Sequence, residues 1–480
     1  MDIDPNWFAY LALLIWPVIA LILFSRLPVG QALIWTILGA YLLLPVGAEF
    51  KLNGVPAFNK LTIPSLAALV CSPIFIGRLP KFSRGFGITE ILVLALLIGP
   101  IITSLLNTDP IRIGGTVLPG SSLYDGLSAA VAQLLFILPF FLARDFLRSY
   151  KDNSDILRIM AVAGSFYAFP MLFEIRMSPE LHIWIYGYAP DAFLEQMRGG
   201  GFRPMVFIGN GLRVAFFAMT TAVAAAALWR TRTRAFAFFP SSWITAFLSF
   251  VLLLCKTLSA AVYAVTLIPI VRWAKPRIQF RVASLLVIVA LVYPLLRAGD
   301  MVPTNSVVGA ANAVSTDRGE SLRTRFENED RLLDHALKRP WFGWGRFGRE
   351  RVYANEEGDF KTIEDGQWII QLGTSGLVGF IAQFGLLAFS VLRAATALKF
   401  AQAGRESEYL AALGLVVAIS IFNLLPNSTY LPWTWLLAGA LLGRAEALSA
   451  MSQKRILLRS SAPLSPPLRS AFFHQTTPSH

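Results

Sequence analysis

The amino-acid sequence predicts an all-α fold: a polytopic membrane helix bundle of about 12–13 transmembrane helices, with one large external loop containing an amphipathic helix. Three observations predict it. Of 480 residues, 55% are apolar and only 15% charged, and the mean hydropathy is +0.58. That balance lies outside the range of soluble domains. Apolar runs of roughly 16–25 residues, long enough to cross a bilayer core as helix, recur along most of the chain. One late segment, residues 298–366, breaks the pattern with ten Lys/Arg and thirteen Asp/Glu.

Taken in order, the apolar runs centre on residues 7–24, 31–47, 62–77, 88–106, 127–143, 156–175, 211–229, 236–255, 257–272, 282–297, 367–392, 408–425 and 430–447. Residues 1–297 thus hold ten helices with an external loop at about 176–210. Residues 298–366 form the main external loop, 367–449 the last helices, and 450–480 a Pro/Ser-rich tail expected to be disordered.

Charge sets the orientation. "GRLPKFSRGFG" carries Arg78, Lys81 and Arg84; "RTRTR" carries Arg230, Arg232 and Arg234; "VRWAKPRIQFR" carries Arg272, Lys275, Arg277 and Arg281. With thirteen spans these loops share one side with Arg144, Arg148, Lys151 and the tail's Lys454, Arg455 and Arg459. By the positive-inside rule that side is cytoplasmic. The acidic start "MDIDPN" lacks the basic region of a signal peptide, so the first span is expected to remain as a helix whose N-terminus is external. The formal charge of +13 is spread over these loops and forms no single patch, which argues against nucleic acid. Cys71 and Cys255 both sit in apolar runs, and only four histidines exist, so no disulfide framework, metal site or cofactor is expected.

Within the main loop, "SLRTRFENEDRLLDHALKRP" places Leu322, Phe326, Leu333 and Leu337 on one helical stripe, widened by Leu332 and Ala336. The spacing predicts an amphipathic helix of about five turns that ends before Pro340. "WFGWGRFG" follows, a glycine-aromatic stretch whose backbone amides are candidates to approach an anion. Glu364 and Asp365 then stand where the chain re-enters the membrane. They read either as a helix N-cap or as a general base at the water–lipid boundary.

The order of these features resembles the O-antigen ligase/polymerase family of bacterial envelope enzymes. In that family an Arg-bearing amphipathic helix leads into a Pro-x-x-Gly-x-Gly turn, here Pro340, Gly343 and Gly345. A His-Asn-like pair, nine residues and a Gly-x-x-Gly come next. This chain has Asp365-Gly366, nine residues, then Gly376 and Gly379, so an acid replaces the histidine. "GFRPMVFIGNGLRVAFF" is similar to the family segment in which an arginine, here Arg203, binds the donor's pyrophosphate. The family's Ser-Arg is half present: Ala260 follows Ser259, and Lys256 lies about one turn earlier.

The resemblance implies an inverting, metal-independent glycosyl transfer at the periplasmic face of the bacterial inner membrane. An acceptor sugar hydroxyl, on a glycan or on lipid A core, attacks a glycan carried on undecaprenyl pyrophosphate. Such chemistry needs a base for the hydroxyl proton and cations for the departing pyrophosphate. Asp365 is the expected base, with Glu364 second. A carboxylate can replace imidazole where burial lifts its pKa above the usual ~4. His335 is a further candidate, read first as a packing residue of the amphipathic helix. Arg203 and Lys256 are the expected pyrophosphate partners, followed by Arg323, Arg325 and Arg346. Ligase and polymerase remain equally open. The alternatives are a transporter or flippase for lipid-linked sugars, which would place ionisable groups at the midplane, and a relative without catalysis.

Overall fold

A chain crossing lipid must satisfy every backbone N–H and C=O internally, so apolar runs of this length fold as helices. The computed structural model describes residues 4–51, 56–113, 116–191, 196–198, 200–313, 315–353, 362–428 and 431–460. Among them are sixteen α-helices, and each of the thirteen apolar runs coincides with one. Eight are long and apolar enough to cross a membrane: α1 (Trp7–Arg26), α4 (Ile88–Leu106), α5 (Leu123–Phe146), α6 (Tyr150–Met177), α8 (Gly211–Arg230), α11 (Pro276–Ala298), α14 (Gln367–Ala397) and α15 (Arg405–Asn423). Four apolar helices are shorter: α2 (Val29–Leu43), α3 (Thr62–Ile76), α9 (Ser241–Leu254) and α10 (Leu258–Trp273). The last helix, α16, runs Pro432–Ser460. It continues past the 449 boundary expected from hydropathy, which corrects the start of the tail; residues 461–480 lie outside the described residues.

Close backbone approach holds the centre together. On α16, Gly439 and Gly443 face α5 so closely that an added Cβ would meet the Phe140 carbonyl oxygen at 2.2 Å and that of Arg144 at 2.5 Å. This is a Gly-x-x-x-Gly contact, the usual device where apolar burial alone gives little drive for helices to associate.

The two ends of the bundle differ in chemistry. At one end Arg78 donates to Asp145 at 2.5 Å, Arg84 joins the same carboxylate, and Arg144 bridges Glu90 at 2.9 Å and Glu446 at 2.7 Å. Arg230 pairs with Glu408 at 2.6 Å and donates to the Ala274 carbonyl, while Arg444 pairs with Glu406. The three basic loops and the C-terminal half of α16 therefore share this end, as the loop count requires. Arg144 is almost wholly buried, and removing one partner of such a pair typically costs about 3–5 kcal/mol.

The other end carries the start of α1 and the long connections. Asn6 caps α1 and donates to the Ile185 carbonyl of α7 (Leu181–Tyr186). Three two-stranded antiparallel hairpins are described. Two lie in these connections: β1 (Glu49–Phe50) with β2 (Phe58–Asn59), and β5 (Met197–Arg198) with β6 (Gly201–Phe202). The third, β3 (Ile111–Ile113) with β4 (Thr116–Leu118), joins α4 to α5. The main loop begins with α12 (Thr304–Asn312) and the amphipathic α13 (Thr316–Ala336). On α13 Leu332, Leu333 and Ala336 are buried while Leu322 and Phe326 are half-buried. Leu337 departs from the expected stripe. The helix ends at Ala336, ahead of Pro340, and Leu337 is exposed.

Candidate functional site

The site residues expected from sequence gather at the loop-bearing end in two groups and a rim. The first group lies beneath α13. Asp365 does not cap α14: Gly366 is the N-cap residue, with no side-chain cap bond. Its carboxylate instead faces the Arg325 guanidinium at 3.5 Å, and Arg325 also donates to the Pro426 carbonyl. The Asp365 side chain keeps 29% of its surface open, enough to meet a substrate hydroxyl. Glu364 is more enclosed, at 13%, and pairs with Arg351 at 3.1 Å.

Two further acids join this region that sequence reasoning passed over. Burial pushes the Glu350 carboxyl above the usual range, and the neighbouring Glu364 charge adds to the effect against the pull of Arg351. Burial likewise raises Glu329, opposed by Arg297 and by hydrogen bonds from Tyr293 and Trp368. Glu329 accepts from Tyr293 Oη at 3.1 Å and faces Arg297 at 3.4 Å, which ties α13 to α11 and α14. Nothing in the spacing marks these two glutamates out from the other acids of a charged loop.

The second group sits under hairpin β5–β6. Lys256 occupies the tight break between α9 and α10 with φ +53°, uncommon for a residue with a side chain. That geometry brings its Nζ against Gly201, 2.5 Å from where a Cβ would stand. Arg203 packs its Cβ on Gly211 at the start of α8, and its charge reaches Cys255, the residue before Lys256. Lys256 thus reaches the strand that leads into Arg203, although sequence separates the two cations widely.

What orders the Arg203 segment is a buried acid. Glu174, near the end of α6, accepts from the amides of Met205 and Val206 at 2.7 Å each and of Leu181 at 3.1 Å. Tyr167 Oη accepts from Phe207 and Ile208. Five backbone donors that water would otherwise hold are satisfied by two side chains, each worth about 0.5–3 kcal/mol according to charge. The signal for Glu174 was present in the sequence: an acid near the end of an apolar run, costly unless it has a fixed duty.

The rim belongs to Arg346. It stands beside a cleft of about 620 Å³ between α4, α5 and α14, shared with Gln133, Gln371 and Ser375. Its surroundings lower its hold on the proton by desolvation, with Glu350 opposing. Arg323 is exposed on α13 and makes no ion pair among the described residues. Neither Asp365 nor Arg203 lines this cleft.

The glycine-aromatic turn has a different task from the one its composition suggested. The Trp344 and Gly345 amides donate to the Gly373 and Thr374 carbonyls of α14 at 2.8 and 3.0 Å. In return Leu377 and Val378 donate to Pro340 and Trp341. These bonds fill the gap where α14 breaks at Gly376, with φ +64°. The amides of Trp344 and Gly345 expected to approach an anion are therefore engaged within the fold. His335 is a packing residue: its ring stacks on Trp344 at 4.3 Å, and Nε2 lies 3.0 Å from the Arg349 carbonyl. Burial lowers its pKa.

A scan against protein-family models gives no match, and a search of the curated proteins finds none that is similar.

Proposed function

We propose that this membrane protein transfers a glycan from an undecaprenyl-pyrophosphate carrier to an acceptor sugar hydroxyl, as an O-antigen ligase or an O-antigen or exopolysaccharide polymerase. The observation that carries the reading is the shared end of the bundle: an accessible carboxylate, Asp365, and two cations, Arg203 and Lys256, stand at its loop-bearing end. Acid and cations are the two requirements of the reaction. The acceptor oxygen attacks the anomeric carbon and the bond from that carbon to the pyrophosphate oxygen breaks. Its electron pair leaves on the pyrophosphate, and the configuration inverts. The hydroxyl proton passes to the Asp365 carboxylate, with Glu364 the second candidate. Arg203 and Lys256 balance the charge that develops on the leaving group. Arg325 orients Asp365, while Arg346 offers a further cation at the cleft where an acceptor glycan could enter; Arg323 keeps the weakest claim.

In this reading the loop-bearing end faces the bacterial periplasm and the arginine-rich end the cytoplasm. The test is the surface-glycan profile of a strain deleted for the chain. Glycan should be lost or shortened, and wild type should restore it. Asp365→Asn, at equal abundance in the membrane, should not. An unchanged profile on deletion would defeat the proposal.

A further inference from the structure

A second cavity opens at the loop-bearing end, with about 560 Å³ of empty space, between the α2–α3 connection, the start of α8 and the start of α16. Three polar side chains of one kind line it. Lys60 is 7% exposed, and its Nζ donates to the Leu44 carbonyl at 2.9 Å and the Phe207 carbonyl at 2.6 Å. Arg213 enters from the first turn of α8, and among the described residues no carboxylate pairs with it. Tyr41 is 4% exposed, and its hydroxyl has no hydrogen-bond partner among the described residues. Glu49 also lines the cavity, but its carboxylate is held by Lys51 at 2.9 Å.

Each of these groups has a structural duty that falls short of explaining it. Lys60 ties two loops together and spends two of its three donors doing so. Burial holds the Lys60 pKa well down, and that leaves unexplained why Arg213 stands close enough for its charge to add to the effect. It leaves the Tyr41 hydroxyl unexplained as well, since a buried hydroxyl without a partner is costly. Two neighbouring cations and a spare phenol make a constellation rich in donors and poor in acceptors. An anion with several acceptor oxygens would satisfy all three at once: Arg213 in two-pronged fashion, Lys60 as a point charge, and Tyr41 by its O–H.

We propose that Tyr41, Lys60 and Arg213 form a binding site for a phosphate group, distinct from the Arg203–Lys256 pair, neither of which lines this cavity. The phosphate belongs to a lipid headgroup or to a soluble ligand, and the chemistry of recognition is the same for both. The site is independent of glycosyl transfer, so either proposal can fail alone.

The experiment is calorimetric titration of the purified full-length protein in detergent micelles, with inorganic phosphate in one arm and dioctanoyl phosphatidic acid in the other. Saturable binding of either probe is expected. Arg213→Gln should weaken it about tenfold and Tyr41→Phe about threefold, the usual worth of a charged and a neutral hydrogen bond. Lys151→Gln, an exposed lysine at the opposite end, should leave it unchanged. Binding in the first arm assigns a soluble phosphate, and binding in the second alone assigns a lipid. Tyr41→Phe removes only an unpartnered oxygen, so it keeps the test valid if Arg213→Gln folds poorly. No binding in either arm would overturn the site, as would unchanged affinity in both variants.

Discussion

His182 illustrates how a single residue reports its surroundings. It is fully buried in α7, with Nδ1 2.9 Å from the Tyr188 carbonyl and Nε2 accepting from the Val46 amide at 3.2 Å. That pattern needs the neutral ring with its proton on Nδ1, because a protonated Nε2 has no lone pair to accept with. Burial, with a smaller push from Lys60, lowers the pKa to about 4 from 6.5. The folded state therefore binds this proton less readily than the unfolded chain. The stabilisation is complete above about pH 6.5 and is lost as pH falls toward 4, a span worth roughly 3 kcal/mol. His182→Gln keeps an amide donor and acceptor without titrating. Its unfolding midpoint should fall less than that of wild type between pH 7 and 4.5, as followed by thermal unfolding in detergent. Parallel pH dependence in the two proteins would show that His182 is not the titrating group.

Among the elements, α14 carries the strongest constraint. It breaks at Gly376, whose φ of +64° disfavours any residue with a side chain, and a Cβ there would lie 2.4 Å from the carbonyl carbon of Trp341. The turn through Gly343 and Gly345 fills the break with its own amides, so the two glycine motifs form one structural unit. Gly376→Ala should destabilise the protein by more than about 1 kcal/mol. Gly385→Ala, on the same helix with its nearest neighbour at an ordinary 3.5 Å, should be tolerated. The comparison is read from unfolding midpoints and membrane abundance of the two variants. Equal behaviour would show that the break at Gly376 can be closed without loss. Asp365 stands just ahead of this helix, where the Gln367 amide donates to the Leu424 carbonyl at 2.9 Å.

At the scale of the whole molecule the bundle is polar in a directional sense: arginine–carboxylate pairs at one end, long connections at the other. Under the proposed orientation, a cysteine replacing exposed Glu327 on α13 should react with a membrane-impermeant maleimide in intact cells. One replacing exposed Lys81 should react only after lysis. Both native cysteines are buried, which keeps the background low. The reverse labelling pattern would invert the bundle and remove the proposed site from the periplasm.

Apolar run length determined the helices, because lipid leaves the backbone no other partner, and basic loops determined which helix ends lie together. The stretch from Asp365 to Gly379 was legible as a special segment, since glycine and charge are conspicuous against apolar helix. What each residue does there was decided by tertiary contacts. Spacing did not reveal that Asp365 faces Arg325 in place of capping a helix, or that the Trp344 and Gly345 amides close a break in α14. Glu174, and the meeting of Lys60, Tyr41 and Arg213 in one cavity, depend on loops distant in sequence. A residue's charge and size are written in the chain; its neighbours, which set its protonation, exposure and partners, exist only once the bundle has formed.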